Sequence, residues 1–260
     1  MSGTAGKWGD LGPRVLSAIV MVVIGAVEVW LGGNWFHGLV AIVGGGMIWE
    51  LTRMMAPNAP RLPIQMGILT TVVLFVAVLP SIDRQYMLPM LLAPALVGAT
   101  QIEKDRLIYG VYAAALMLAC AGLMLIRDHN GIRLIVWLVL VVIATDVAGY
   151  FVGRIVGGPK FWPKVSPKKT WSGTVGGWIA AAAIGAFFGG WLLIAVSVVT
   201  SFFSQMGDAA ESAIKRRTGV KDSSNLIPGH GGLLDRFDAL MGAALFVMLL
   251  GVTVGLPAGQ

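Results

Sequence analysis

The chain has 260 residues, 57% of them hydrophobic and only 12% charged, with a mean hydropathy of +0.80. Soluble domains use roughly 45–50% apolar and about 25% charged residues, so this composition excludes a soluble fold. The net charge of +6 does not argue for nucleic acid as a partner, because in a membrane protein Lys and Arg chiefly record which loops stay in the cytoplasm.

A bilayer core takes about 20 helical residues at about 1.5 Å rise each. Apolar runs of that kind predict spans over 15–31, 35–55, 64–79, 86–99, 107–126, 132–150, 175–188, 191–205 and 240–256. The first is long enough to span and has no small-residue cleavage site, so it is expected to be retained. The stretch 175–205 has 31 residues, too many for one untilted span, and Gly189-Gly190 interrupts it; a tight hairpin is predicted there. The lone cysteine, Cys120, lies inside an apolar run and allows no intrachain disulfide.

The expected fold is therefore all-α: a polytopic integral membrane protein of about nine transmembrane helices with a cytoplasmic N-terminus. It forms one transmembrane domain over 1–260, with N-terminal helices in 1–130 and the catalytic helices and loops in 131–260. This topology leaves 16 of the 19 basic residues inside, from Lys7 and Arg14 through Lys164 to Arg236, and only Arg84, Arg127 and Arg133 outside. That is the asymmetry the positive-inside rule demands.

Two polar loops, 151–174 and 207–239, carry 10 of the 19 basic and five of the 13 acidic residues, and by parity both face the cytoplasm. An ionisable group near membrane depth costs at least about 2.5 kcal/mol and is a functional candidate by default. Asp146 ends the sixth span, Asp208 follows the eighth, and Asp235 and Asp238 precede the ninth at a spacing that puts both on one helix face. Clustered oxygen ligands suit Mg²⁺, which takes one or two carboxylates and leaves its other positions to water and phosphate. The alternative is that Asp235 and Asp238 simply cap the last helix and favour its dipole.

Basic side chains stand beside these acids: Lys215, Arg216 and Lys221 with Asp222 in one loop, and Ser166, Lys168 and Lys169 in the other. Arg binds phosphate as a fork and Lys as a point charge, although a basic run at a span end also serves as a topology signal or lipid contact. Residues 227–233 read Ile-Pro-Gly-His-Gly-Gly-Leu, in which Gly229, Gly231 and Gly232 flank His230. Such glycines let backbone N–H groups approach an anion, and the histidine can donate to phosphate or carry a proton; a flexible turn before a helix is the plainer alternative. Glu28 and Glu50 lie in the first two spans and are expected to face the bundle interior, without an assigned role.

The 27 residues 212–238 resemble the signature of the phosphatidate cytidylyltransferase (CDP-diacylglycerol synthase) family. Gly207, Asp208 and Glu211 resemble the lead-in to that signature. Ser166 through Thr170, with Gly173, Gly176 and Gly177, are similar to a second family loop, and Asp146 through Tyr150 with Gly153 and Arg154 to a third. Two positions depart from the pattern: Ser172 stands where the family usually has Glu, and Val147 where Thr is common.

The resemblance implies transfer of a cytidylyl group from CTP to phosphatidate, giving CDP-diacylglycerol and pyrophosphate. It implies that Asp208, Asp235 and Asp238 bind a metal centre of Mg²⁺, with K⁺ as a possible second ion, and that His230 and Lys221 belong to the catalytic set. Lys215, Arg216, Asp222, Arg236 and the Gly231-Gly232 backbone would hold triphosphate. Ser166, Lys168, Lys169, Asp146 and Arg154 would contact the substrates. A homodimer in the cell inner membrane, its site facing the cytoplasm, is also implied. Other CTP-using lipid transferases or kinases remain an alternative, as does a secondary transporter, although here the charges gather at one face instead of the midplane.

Overall fold

The computed structural model describes residues 11–79, 81–163 and 165–255; Lys7, Lys164 and Leu256, the expected end of the last span, lie outside them. In chain order the elements are α1 (Leu11–Leu31), α2 (Gly33–Met55), α3 (Leu62–Ala77), α4 (Arg84–Gln101), α5 (Arg106–Ile155), β1 (Lys160–Trp162), β2 (Ser166–Thr170), α6 (Trp171–Phe188), α7 (Trp191–Thr218) and α8 (Leu234–Thr253). Each predicted apolar segment falls on a helix. The fifth and sixth share α5, whose two arms meet at Gly131, with φ 74° and ψ −171°. Only glycine enters that region cheaply, so Gly131 breaks the helix without a loop.

Among the described residues, α5, α6, α7 and α8 are long and apolar enough to cross a membrane. Shorter apolar helices cover Val15–Leu31 and Leu62–Ala77. The chain is thus a helical membrane protein. The predicted hairpin at Gly189-Gly190 is present as the break between α6 and α7, and Arg133 on α5 closes it by donating to the Phe188 carbonyl at 2.7 Å.

Two departures matter for the site. The loop expected to begin at Gly207 is helical as far as Thr218, so α7 carries Asp208, Glu211 and Lys215 on a rigid rod. It stops at Gly219, whose φ of 77° turns the chain, while the Val220 N–H returns to the Lys215 carbonyl at 3.0 Å. The other loop folds into a two-stranded antiparallel sheet, a small addition to an all-helical class, in which Lys160 faces Thr170 and Trp162 faces Ser166. Phe161 packs edge-on against Trp171 with centroids 4.8 Å apart, seating the hairpin on the start of α6.

Close backbone approach holds the helices together, as is usual where lipid removes the hydrophobic drive for helix association. At the α7–α8 crossing a Cβ on Gly207 would lie 2.3 Å from the Asp238 carbonyl, and one on Gly242 would lie 2.3 Å from the Phe203 carbonyl. At the α5–α6 crossing a Cβ on Gly173 would lie 2.5 Å from the Gly149 carbonyl. These contacts bring Asp208 beside Asp238, and the end of α5 beside the hairpin. Gly242→Ala should therefore force α7 and α8 apart at a cost of about 1–3 kcal/mol and lower the thermal midpoint in detergent by several degrees. Gly25→Ala, whose added methyl meets nothing within 4 Å, should leave the midpoint unchanged; equal midpoints for the two variants would contradict the crossing.

Candidate active site

The last turns of α5, the β1–β2 hairpin, the start of α6 and the middle of α7 enclose a cavity of about 530 Å³. Its charged lining is Asp146, Arg154, Lys160, Lys168, Lys169 and Asp208. Lys169 pairs with the Asp208 carboxylate, whose other oxygen accepts from Ser212 Oγ at 3.3 Å. Arg154 donates to the Tyr150 hydroxyl at 2.7 Å and lies over the Tyr150 ring. Thr170 caps α6, its Oγ1 accepting from the Gly173 N–H at 3.2 Å, and this fixes the direction in which Lys168 and Lys169 leave the strand. Four basic groups thus surround two acids in a space of nucleotide or headgroup size.

A second cluster sits where α7 ends and α8 begins. Lys215 Nζ lies 2.6 Å from both Glu211 Oε2 and Asp235 Oδ1. The other Asp235 oxygen accepts from the Ser223 N–H at 2.9 Å, Ser223 Oγ at 2.9 Å and the Gly232 N–H at 2.8 Å. The glycine-rich segment is ordered by its own turn chemistry. The His230 N–H reaches the Ile227 carbonyl at 2.9 Å across Pro228 and Gly229, the latter with φ 74°, a proline-then-glycine turn. Gly231, with φ 83°, then returns its carbonyl to the Ile227 N–H at 2.8 Å.

Arg236 clamps the His230 carbonyl with two donors at 2.8 and 2.5 Å. His230 Nδ1 shares a 2.7 Å hydrogen bond with Ser17 of α1. Arg216, Lys221 and Asp222 are exposed around the end of α7. Arg217 forks onto Asp105 at 2.6 and 2.7 Å, and these hydrogen bonds hold the Asp105 carboxyl below its usual range.

The structure thus gathers Asp146, Arg154, Lys168, Lys169 and Asp208 in one cavity, and Lys215, Gly232 and Asp235 in one hub. Asp238 stands between them, within electrostatic reach of Asp208, Lys215 and Asp146, one of its oxygens accepting the Ala239 N–H at 2.7 Å. Ser166 opens β2 opposite Trp162 and does not line the cavity. Ser172, the position at which the resembled pattern usually has Glu, ties α6 to the Gly157 carbonyl and meets Thr170 Oγ1 at 3.0 Å. Among the described residues, no three His, Cys, Asp or Glu side chains stand together as a cage for an ion. Ammonium groups occupy the carboxylates: Lys169 meets Asp208 and Lys215 meets Asp235.

Several members of the site were given no role by the sequence reading. Glu211 was noted only in the lead-in to the resembled signature, although it is also the i−4 partner of Lys215. Lys160 joins the site only through the hairpin. Ser223 and Ser224 lie within the resembled 212–238 segment without a role of their own, and Glu50 carries no signal beyond the cost of an acid inside a span.

A profile of the cytidylyltransferase family matches residues 12–254, which takes in nearly all the described helices. A phosphatidate cytidylyltransferase of Brucella suis biovar 1 (strain 1330) is 37% identical over 263 residues, covering 95% of this chain and 96% of that relative. The enzyme of that name from Staphylococcus haemolyticus is 34% identical over 250 residues, with 88% and 94% covered. The one from Bacillus subtilis (strain 168) is 31% identical over 263 residues, with 92% and 95% covered. With both ionic clusters inside the matched region, the chain belongs to the cytidylyltransferase family.

Proposed function

We propose that this protein is a nucleotidyltransferase of phospholipid biosynthesis that moves CMP from CTP to phosphatidate, releasing pyrophosphate and CDP-diacylglycerol. The observation that carries this reading is the pairing of a cationic cavity with an acid–lysine hub at one end of the bundle of a cytidylyltransferase-family chain. A phosphate oxygen of phosphatidate attacks the α-phosphorus of CTP as the bond to the β-phosphate oxygen breaks, and pyrophosphate carries away the electron pair. Both reactants are anions, so the chain must offset charge and hold them in line.

Lys168, Lys169, Lys160 and Arg154 serve one phosphate-bearing reactant in the cavity. Lys215, Arg216, Lys221 and the His230 loop, with Arg236 fixing its backbone, serve the triphosphate. The donor chemistry fits Mg²⁺, since carboxylate oxygens adjoin a phosphate-sized space and Lys169 already stands as a cation on Asp208. Asp208 and Asp238 would hold it. Asp235, its oxygens engaged by Lys215, Ser223 and Gly232, fixes the loop behind them. When bound, Mg²⁺ neutralises phosphate oxygens and raises the electrophilicity of the phosphorus.

We also propose nine spans, with the two arms of α5 counted separately, and a cytoplasmic N-terminus. The contact between Lys169 of the hairpin and Asp208 of α7 supports this, because the nine-span parity puts both polar segments on one face. The reading extends to a homodimer in the cell inner membrane with its site turned to the cytoplasm, where CTP is made.

Detergent-solubilised protein should form CDP-diacylglycerol from phosphatidate and CTP only with Mg²⁺, and poorly with ATP. Asp208→Asn and Asp238→Asn should each cut turnover about 100-fold or more and raise the Mg²⁺ concentration for half-maximal rate. Asp235→Asn should lower turnover with that Mg²⁺ dependence unchanged. A shared Mg²⁺ shift in all three variants would return Asp235 to the ligand set. For topology, cysteines placed at Gly3 and Gly259 should label from opposite sides of sealed vesicles, Cys120 being buried; labelling from one side would refute nine spans.

A further inference from the structure

Glu50 sits on α2, far in sequence from both clusters, and its side chain is fully buried, at 0% exposure. Its Oε1 accepts from Ser224 Oγ at 2.5 Å and the Leu233 N–H at 2.9 Å. Its Oε2 accepts from the Leu234 N–H at 2.6 Å and Ser223 Oγ at 3.1 Å. Four donor groups from two segments thus converge on one carboxylate, the Ser223 hydroxyl sharing its single proton with Asp235 Oδ2. Leu233, the residue that precedes α8, offers no side-chain cap, so an acid on another helix satisfies the first N–H groups of α8, where negative charge is favoured.

The fit around this carboxylate is tight. A Cβ on Gly232 would lie 2.4 Å from Glu50 Oε1 and 2.0 Å from Ser223 Oγ, so glycine is needed there because Glu50 occupies the space. Ser223 Oγ stands between two carboxylates, 3.1 Å from Glu50 Oε2 and 2.9 Å from Asp235 Oδ2. Asp235 in turn holds Lys215. A continuous chain of polar contacts therefore runs from α2 through Ser223 and Asp235 to Lys215.

We propose that Glu50 is a positioning residue for nucleotide transfer, fixing the 223–235 segment so that Lys215 and the glycine-rich backbone meet the triphosphate. The inference rests on the CTP reading above. A buried acid is a poor way merely to stabilise a bundle, because well-packed apolar residues often do as well or better. What four donors on a single carboxylate supply is a fixed backbone position, which matters where a phosphate must be met within a fraction of an ångström. An amide of the same shape accepts on one atom only and turns its NH₂ group towards donors.

Glu50→Gln should accordingly raise the KM for CTP about tenfold or more in the detergent-solubilised full chain, with the KM for phosphatidate changed less than about twofold. Ser224→Ala, which removes one donor and leaves the acid in place, should shift the CTP KM in the same direction by a smaller factor. The double variant should lose less than the product of the two single losses, because both act through one contact. A purely structural role predicts a lower thermal midpoint with parental KM values in the folded fraction, and that result would overturn the proposal. If Glu50→Gln does not fold, Ser224→Ala decides: an unchanged CTP KM overturns the proposal and a raised one supports it. A parent protein that makes no product from CTP and phosphatidate overturns the functional reading and this inference with it, whereas an active parent with an unaffected Glu50→Gln variant overturns the inference alone.

Discussion

The site depends on one ammonium group held between two acids. Lys215, with 14% of its side chain exposed, lies between Glu211 at 0% and Asp235 at 8%. Charges so far from water are tolerated only when paired and further hydrogen-bonded, and removing one partner of such a set costs about 3–5 kcal/mol. Ser223 and Gly232 also donate to Asp235. The loop is thereby drawn onto the end of α7, and the glycine-rich turn takes its position from that pull.

That arrangement requires α7 and α8 to lie close together, and small residues allow it. Gly207 and Gly242 let the two backbones touch, so that Asp208 and Asp238 share a junction instead of being separated by side chains. Gly149 and Gly173 do the same for α5 and α6, which turns Asp146 and Arg154 toward the hairpin lysines. Ordinary interhelical hydrogen bonds secure the remainder of the bundle. Trp137 donates to Ser197 at 2.9 Å, and Thr145 to Ser201 at 2.8 Å. At the far end from the Ser17–His230 contact, Arg127 closes the last turn of α1 by donating to the Val29 and Trp30 carbonyls at 2.8 and 3.2 Å.

Rigid helices and an ordered loop play different parts in this architecture. The cavity acids and Lys215 ride on helices whose positions are set by packing. The glycines of residues 229–232 belong to a segment that has no packing core of its own and is held by carboxylates, Asp235 from one side and Glu50 from the other. Hydrogen bonds to carboxylates therefore do at the loop what close packing does elsewhere, and each is exposed to disruption by a single substitution.

Composition and periodicity alone settled that the chain is a helical membrane protein, because runs of apolar residues of bilayer length admit no other class. The helical segments, the break at Gly189-Gly190 and the polar loops were legible for the same reason, and the residue pattern of 212–238 pointed to the family. Helix ends were not. Nothing local marks where α7 passes from an apolar to a polar face, so Asp208, Glu211 and Lys215 read as loop residues although they lie on one rod. The hairpin was equally hidden, since a strand of three residues paired to one of five carries too short a pattern. Only the tertiary structure decided that Asp235 belongs to Lys215 and its loop, and that Asp208 faces Lys169. It also brought Glu50, whose sequence signal was no more than an acid in an apolar span, against the start of α8. Those pairings join residues far apart in the chain, and only the helix packing that brings their backbones together fixes which charge meets which.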